Sequence, residues 1–581
     1  MTDMAESASF RLTRNGGDRG PSLSERLVDQ FSQLSFASPV HRMRLKGRFP
    51  LKLMAVPEDP IPGDAHLGRR LKSGRLFRDG YGQAIADIRL NAPEAPESWR
   101  QWVHGWGWLR DLASDDSTTK AEALRAEALA KAWLNRFHDY DPSAWAPAVT
   151  GRRILMAICH APLVMPRHDD IHRSTVLNGI ARWGRHLDRA APRLPAGLAR
   201  LEAAAGLLGC ALMLPGGEER RRQSEALLAG TIAELLGDGG AIASRSPLDL
   251  ARIGNLMLTL ASFHHARTQP APAFIQQALT RVRNGLGALS MGDGLPASWH
   301  GGQPGAAEMA RLQVDPRNAP PPARGSGFQR LQAGQVRILI DAGPPPPARL
   351  APLAHASTLA FTMTDGARHL IVNCGGSTGP QGEHDFPPEL VMGLRSTAGH
   401  STVVLADTNS SRLHHQGPRR LGGVEEVLVE SRANAQGQWF EASHDGWRRR
   451  LGYLHSRRLW LAASGDDFRG EDRLQPVRRR IPRPGNQPLA LASRFHLGPG
   501  VEATLTQDDR GALLQLPADD SGRRAVWIFK VSFNHAPGIL KLEPSLYVDA
   551  GGATHEIRQL LLTSLVTPGE TADISWSFRR Q

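Results

Sequence analysis

Lysine, cysteine and long apolar runs are scarce in this chain, and each scarcity excludes something. Lysine is so sparse that nearly all of the formal net charge of +13 rests on arginine. One reading is compositional, since a GC-rich source writes arginine where others write lysine. The other is affinity for a polyanion, whether acidic polysaccharide, nucleic acid or a phospholipid surface. A planar guanidinium suits that role because it grips carboxylate or sulfate in two places at once. The three cysteines, Cys159, Cys210 and Cys374, stand in unrelated settings. An odd count without ligand spacing argues against a disulfide framework or a structural zinc site and predicts buried thiols. The most apolar run, 203–214, is too short to cross a bilayer and reads as a buried helix, so no transmembrane segment is expected. The polar N-terminus has no apolar core and no small-residue cleavage site, so no export signal is expected either. No phosphate-binding glycine loop, CxxC pair, GxSxG elbow or HExxH pair is present.

What is present changes character near the middle. At 581 residues, two large domains are the natural division. Before about Met309 the apolar residues recur at helical spacing. Ser22 and Glu25 form a capping box ahead of Leu23, Leu27, Phe31 and Leu34. An irregular basic stretch follows from Arg42 to about Pro96. Helices are then predicted over 99–112, 119–137, 151–163, 171–190, 198–214, 220–236, 247–266 and 273–291, with short links. Such a series suggests stacked helical hairpins curving into an α/α toroid-like array. The segment 315–327 (DPRNAPPPARGSG) reads as a linker. Beyond it, β-branched and alternating blocks between turn residues predict many strands and an antiparallel β-sandwich, with Pro344 to Pro347 as a surface bend. The expected plan is therefore α+β and multidomain: a disordered N-terminus (1–20), a helical domain (21–314), a linker (315–327) and a sandwich (328–581).

Several local sequences occur in one order. They are LAHASTLAFTM (Leu353 to Met363), HLIVNCGG (His369 to Gly376), RSTAGHSTVVLAD (Arg395 to Asp407), EASHDGW (Glu441 to Trp447), LHSRRLWL (Leu454 to Leu461), GDDFRGEDRL (Gly465 to Leu474) and RFHLGP (Arg494 to Pro499). In the helical half, DGG (Asp238 to Gly240) is followed by RSP (Arg245 to Pro247), and VTGRRILMAICHAPLV spans Val149 to Val164. Together these resemble the heparinase II/III-like family of polysaccharide lyases, in its bacterial branch. The resemblance implies cleavage of an acidic, uronic-acid-containing glycan by β-elimination in the cleft between toroid and sandwich. A base takes the C5 proton, a neutralising group steadies the carboxylate-enolate, and an acid protonates the leaving oxygen. It also implies, in members with a metal, a zinc held by His, Asp and His near the seam, and a place in the cell envelope or periplasm. Because no export signal is visible, a cytoplasmic location is the alternative.

Residue by residue, the resemblance is uneven. Leu353 stands where the family has a catalytic His, Ser357 where it has Asp, Ala241 where a His follows DGG, and Asp249 near the place of the catalytic Tyr. His355 and His400 are retained, and Asn373 replaces the metal-site Asp. The implied metal set is thus His355, Asn373 and His400, a degenerate zinc site of a structural kind. The catalytic candidates are Arg245, His355 and His400. The substrate-binding candidates are His444, Trp447, Arg448 and Arg449. Each has a plainer reading: core imidazoles for His355 and His400, a hairpin closure for His444, a helix start for Arg245, a solvated face for the arginine runs and core packing for Trp102, Trp106 and Trp108. Two functions follow. The first is a lyase acting on an acidic polysaccharide or oligosaccharide. The alternative is a non-catalytic glycan-binding or envelope protein on the same scaffold. Nucleic-acid binding has no motif behind it.

Overall fold

In a computed structural model of the chain, the residues described are 7–14, 34–47, 50–114, 120–166, 168–380, 382–413, 422–477 and 487–581. Helices dominate the first half and strands the second. The main helices are Glu97–His104, Lys120–Arg136, Pro147–Cys159, Asp170–Ala190, Leu198–Met213, Glu218–Leu235, Pro247–Ala266 and Ala273–Leu289. Pro147 and Pro247 open their helices where a missing N–H costs nothing. Two inner helices, Pro147–Cys159 and Leu198–Met213, run in the same direction with their backbones almost touching. A Cβ on Gly206 would lie 2.3 Å from the Gly151 Cα, so only glycine fits there. Around them the core is aromatic. Trp106 meets Trp183 edge-on at 5.5 Å, and the fully buried Arg153 lies 4.2 Å over Trp133 and 4.4 Å over Trp183. Trp102, Trp106 and Trp108 are all buried, which is the packing reading rather than a sugar platform. The three cysteines are buried too, and burial pushes the Cys210 and Cys374 thiols up to about 11.

The second half is two packed antiparallel sheets. One has nine strands in the order Ser7–Arg14, Glu426–Asn434, Gly437–His444, Tyr453–Ala462, Asp467–Pro476, Ala572–Arg580, Val526–Phe533, Gly511–Gln515 and Glu502–Leu505. The other runs Gly538–Val548, Thr554–Val566, Leu489–Leu497, Arg368–Val372, Phe361–Asp365, Val336–Asp341 and Phe328–Ala333, with Val403–Leu405 added beside Leu489–Leu497. Between the sheets pack Phe361, Phe468, Phe495, Trp527, Trp576 and Phe578. The helical core continues into this half through Phe328, Leu339 and Ala360. The two domains therefore share apolar packing at their seam.

Four sequence expectations need correction. Ser7–Arg14 is a strand, paired along its whole length with Glu426–Asn434, although 1–20 reads as disordered. Its partner lies more than 400 positions away, so no local signal reveals it. The basic stretch from Arg42 contains the short helices Pro39–Leu45 and Ala65–Lys72 and the hairpin Arg75–Arg78 with Tyr81–Ala84. Pro344, Pro345 and Pro346 are buried against the seam rather than on the surface. Strands Phe328–Ala333 and Asp467–Pro476 lie where no strand is predicted. The capping-box segment, apart from Leu34, lies outside the described residues. Among the described residues, no helix is long and apolar enough to cross a membrane.

Candidate functional site

The seam is built around Arg245. This residue has φ 57°, in the left-handed region, immediately before the helix Pro247–Ala266. The strained turn swings its guanidinium out of the helical domain. It donates to Ser326 O at 3.3 Å, Gly327 O at 2.8 Å and Pro344 O at 2.8 Å, and it pairs with the Asp341 carboxylate. The ring of Phe328 lies 4.7 Å beneath it. Asp341 also accepts from Ser357 Oγ at 2.6 Å. Every one of these partners belongs to the linker or the sandwich, so Arg245 latches one domain to the other. It was expected to face a cleft; it is buried instead, with its donors occupied.

The two retained imidazoles meet beside this latch. His400 Nδ1–H donates to Ser396 O at 2.6 Å, which leaves its Nε2 as an acceptor. His355 Nδ1–H fills that acceptor at 3.0 Å. The remaining nitrogen, His355 Nε2, accepts the Gly301 N–H at 3.0 Å. The tautomers of both rings are thus set by a closed relay from the Gly301 amide to the Ser396 carbonyl. Both residues have 0% exposure. Burial lowers the His355 pKa well below the usual imidazole value, and burial brings His400 to about 4. Both rings are neutral at physiological pH, and neither keeps a free lone pair.

Zinc does not fit these residues. Asn373 Oδ1 accepts the Ser401 N–H at 2.9 Å, and its Nδ2 is buried without a partner. The nitrogens that would ligate a metal are already used within the relay. Among the described residues, no group of three or more His, Cys, Asp or Glu side chains is placed to hold a metal.

Sequence reasoning missed His300. Its Nδ1 accepts the His355 N–H at 3.2 Å, and its Nε2 stops 3.8 Å short of Asp341 Oδ2, beyond hydrogen-bond range. That nitrogen is buried and unpartnered, and burial holds the ring well below its ordinary pKa. The only local hint is a histidine wedged between Trp299 and Gly301.

The substrate-binding candidates separate. His444 and Trp447 are buried, with Trp447 Nε1–H donating to Thr408 Oγ1 at 3.1 Å. Arg448 and Arg449 are exposed, and Arg449 pairs with Glu425 at 2.7 Å. Trp447, a substrate-binding candidate, packs its ring into the sandwich core instead.

An open cup of about 670 Å³, lined by both apolar and charged side chains, does exist, entirely within the helical domain. The N-terminal ends of Glu97–His104, Pro147–Cys159 and Leu198–Met213 converge on it. Arg100 pairs with Glu97 at 2.7 Å; Arg152 reaches Gln101 at 3.1 Å and Glu202 at 3.5 Å. His104 lies at its floor. Trp133 Nε1–H donates to His104 Nδ1 at 3.1 Å, so Nε2 carries the proton. Burial, then the nearby Arg153, lowers that ring to about 4, leaving it neutral.

Comparison with known proteins agrees with this architecture. Residues 315–577 match the family described as heparinase II/III-like, C-terminal. A crystal structure of heparinase III superposes with a TM-score of 0.67 over 98% of this chain and 93% of that one, at 12% identity. A mutant of the heparan sulfate lyase HepC from Pedobacter heparinus gives 0.61 over 98% of this chain and 92% of that chain, also at 12% identity. At such identity these likenesses speak to the fold alone. FtsZ-localized protein C of Caulobacter vibrioides is 31% identical over 564 residues, covering 94% of this chain and 93% of the relative. With a helical domain latched to a sandwich, the family signature across that sandwich and a full-length relative, this chain belongs to the heparinase II/III-like family.

Proposed function

We propose that this chain is a non-catalytic member of its family, a scaffold protein associated with cell division rather than a glycan-cleaving enzyme. The closed relay of His355 and His400 carries the reading. β-Elimination needs a base with a free lone pair at C5, a cation or donor free to meet the developing carboxylate charge, and an acid at the leaving oxygen. His355 and His400 have committed every ring nitrogen, and Arg245 has committed its donors to the sandwich. Leu353 and Ala241 bring no acid or base to their positions, and burial raises the Asp249 carboxyl pKa. A fold can outlive the reaction it once served.

The full-length relative named for its localization to FtsZ supports a division role, and with it the cytoplasmic alternative. Two measurements test this. Purified protein incubated with a panel of uronate polymers, with and without zinc, should produce no rise in the ultraviolet absorbance of unsaturated uronides. A rise that His355→Ala abolishes would overturn the non-catalytic reading. A fluorescent copy should collect with FtsZ at the division site; an even distribution through the cell would remove the division role.

The cup favours a second, compatible reading, that an acidic oligosaccharide is held without being cut. Arg100 and Arg152 would meet the sugar carboxylate by exchanging their pairing with Glu97 and Glu202, which line the same cup with Asp141. Calorimetric titration with uronate disaccharides should show binding that Arg152→Ala weakens; no heat with any of them would sink it.

A further inference from the structure

The cup of the helical domain is lined by more acid than base. Glu97, Asp141 and Glu202 face it, against Arg100 and Arg152. In a chain of net charge +13 this local excess of carboxylate runs against the overall composition. The two arginines are not equivalent. Arg100 commits Nε at 3.1 Å and Nη2 at 2.7 Å to Glu97 Oε2, and Nη1 to Ala95 O at 2.9 Å and Pro93 O at 3.3 Å. All three of its nitrogens are in use. Among the described residues Arg152 donates from Nη2 alone, to Gln101 Oε1 at 3.1 Å, and its Nε, 3.5 Å from Glu202, makes no hydrogen bond.

The floor is a built element. His104 is only 2% exposed, and its ring lines the cup. Its Nδ1 accepts from Trp133 Nε1–H at 3.1 Å, so Nε2–H is the one donor that the neutral ring has left. Phe137 meets the ring edge-on at 4.8 Å and fixes its plane. After burial and Arg153, which lower the pKa of His104, Asp141 and Glu97 are the groups that push it back up, so both carboxylates stand near the floor. Asp141 Oδ1 accepts the Ser143 and Ala144 N–H groups at 3.0 and 2.8 Å, whereas no donor among the described residues meets its Oδ2. The acid excess also reaches the sandwich. Burial first, then Asp79, raise the Glu383 carboxyl pKa, and Glu97 adds to them against Arg252.

A carboxylate taken up by Arg152 breaks the Arg152–Glu202 pairing and leaves Glu202 with Asp141 and Glu97 around one cavity. Such like charges repel one another and the incoming anion. A ligand that is acidic alone therefore satisfies half of the cup, and one that also carries a cation satisfies both halves. A metal ion does not suit that second half, because among the described residues no three His, Cys, Asp or Glu side chains are placed to hold one. We propose that the cup takes a zwitterionic saccharide, a uronate joined to an amino sugar whose amine is unsubstituted. The sugar carboxylate meets Arg152 and His104 Nε2–H, and the ammonium, with three donors, meets Asp141 Oδ2 and Glu202. This rests on the reading of the cup as a glycan-binding place and names the glycan.

Calorimetric titration of the full-length protein tests it, in a mildly acidic buffer that keeps the amine protonated. The probes are a uronate–glucosamine disaccharide with a free amine, the same disaccharide N-acetylated, and a diuronate. The free-amine form should bind about tenfold or more tightly than the N-acetylated form, as one charge-assisted contact implies. Asp141→Asn keeps an acceptor for Ser143 and Ala144 and removes the charge. It should erase most of that preference and leave the affinity for the N-acetylated disaccharide unchanged. Glu202→Gln should reduce the preference in part. Equal affinity for the free-amine and N-acetylated forms would overturn the zwitterion while leaving the cup a uronate site. A preference that survives both substitutions would overturn it too, since the ammonium would then lie elsewhere. No heat with any of the three probes would sink the glycan reading of the cup itself, and this inference with it.

Discussion

Two buried imidazole pairs of the sandwich half, His355 with His400 and His444 with His455, differ in what terminates them. At the seam, His355 and His400 run from the Gly301 amide to the Ser396 carbonyl, both uncharged. In the sandwich core, Gly446 N–H donates to His444 Nδ1, His444 Nε2–H donates to His455 Nδ1 at 3.2 Å, and His455 Nε2–H ends on the Asp472 carboxylate at 2.9 Å. Asp472 is further held by Arg457 Nε at 2.7 Å and Nη2 at 2.9 Å, and by Trp576 Nε1 at 3.0 Å. That company keeps its carboxyl well below the usual range despite the opposing effect of burial. The family-motif pair is thus as fully committed to the fold as the pair deep in the core. A histidine kept at a motif position can be kept for packing.

The comparison can be broken at its charged end first. Asp472→Ala strands the buried Arg457 guanidinium and should cost about 3–5 kcal/mol in urea unfolding. A loss below about 1 kcal/mol would mean the carboxylate is not the anchor of that network. At the neutral end, His400→Ala leaves His355 Nδ1–H and Ser396 O without their partner but strands no charge, and should cost less, about 1–3 kcal/mol in all. Equal losses at the two ends would erase the distinction drawn here.

Acid sharpens it further. His400 is lowered from 6.5 to about 4 in the folded chain, and His355 lies well below its ordinary value. Between those values the unfolded chain binds protons that the folded one refuses. Stability is therefore full above about pH 6.5 and is lost as pH falls toward about 4. Urea unfolding at stepped pH reads this slope, and a flat profile across the window would show that the rings are charged in the fold. The smallest effect belongs to the cup. Arg152→Ala removes a half-buried pair, 3.5 Å from Glu202, and should change stability by less than about 1 kcal/mol. A larger loss would make the cup a structural element rather than an open binding place.

Much of the fold is legible because it is written in local periodicities. The helices Pro247–Ala266 and Ala273–Leu289 fall where the spacing predicts them. Asp467–Pro476 escapes because its sequence, DFRGEDRLQP, is charged on the outer face and carries a glycine. Its polar groups are paid for by cross-strand neighbours, such as Arg473 with Asp573 at 2.6 Å, that lie far away in sequence. The seam is legible only in part. His355 and His400 stand out as chemistry-bearing residues, but nothing local says that each would consume the other.

The sequence by itself determined the order of helices and strands, the family, the buried thiols and the presence of two motif imidazoles, since all of these rest on residue type and spacing along the chain. The tertiary structure alone decided that those imidazoles close a relay, that Arg245 serves as a latch and that the N-terminal strand completes a sheet edge. Those outcomes depend on which hydrogen-bonding groups and surfaces meet across hundreds of residues, and side-chain direction in space carries no signature in local periodicity.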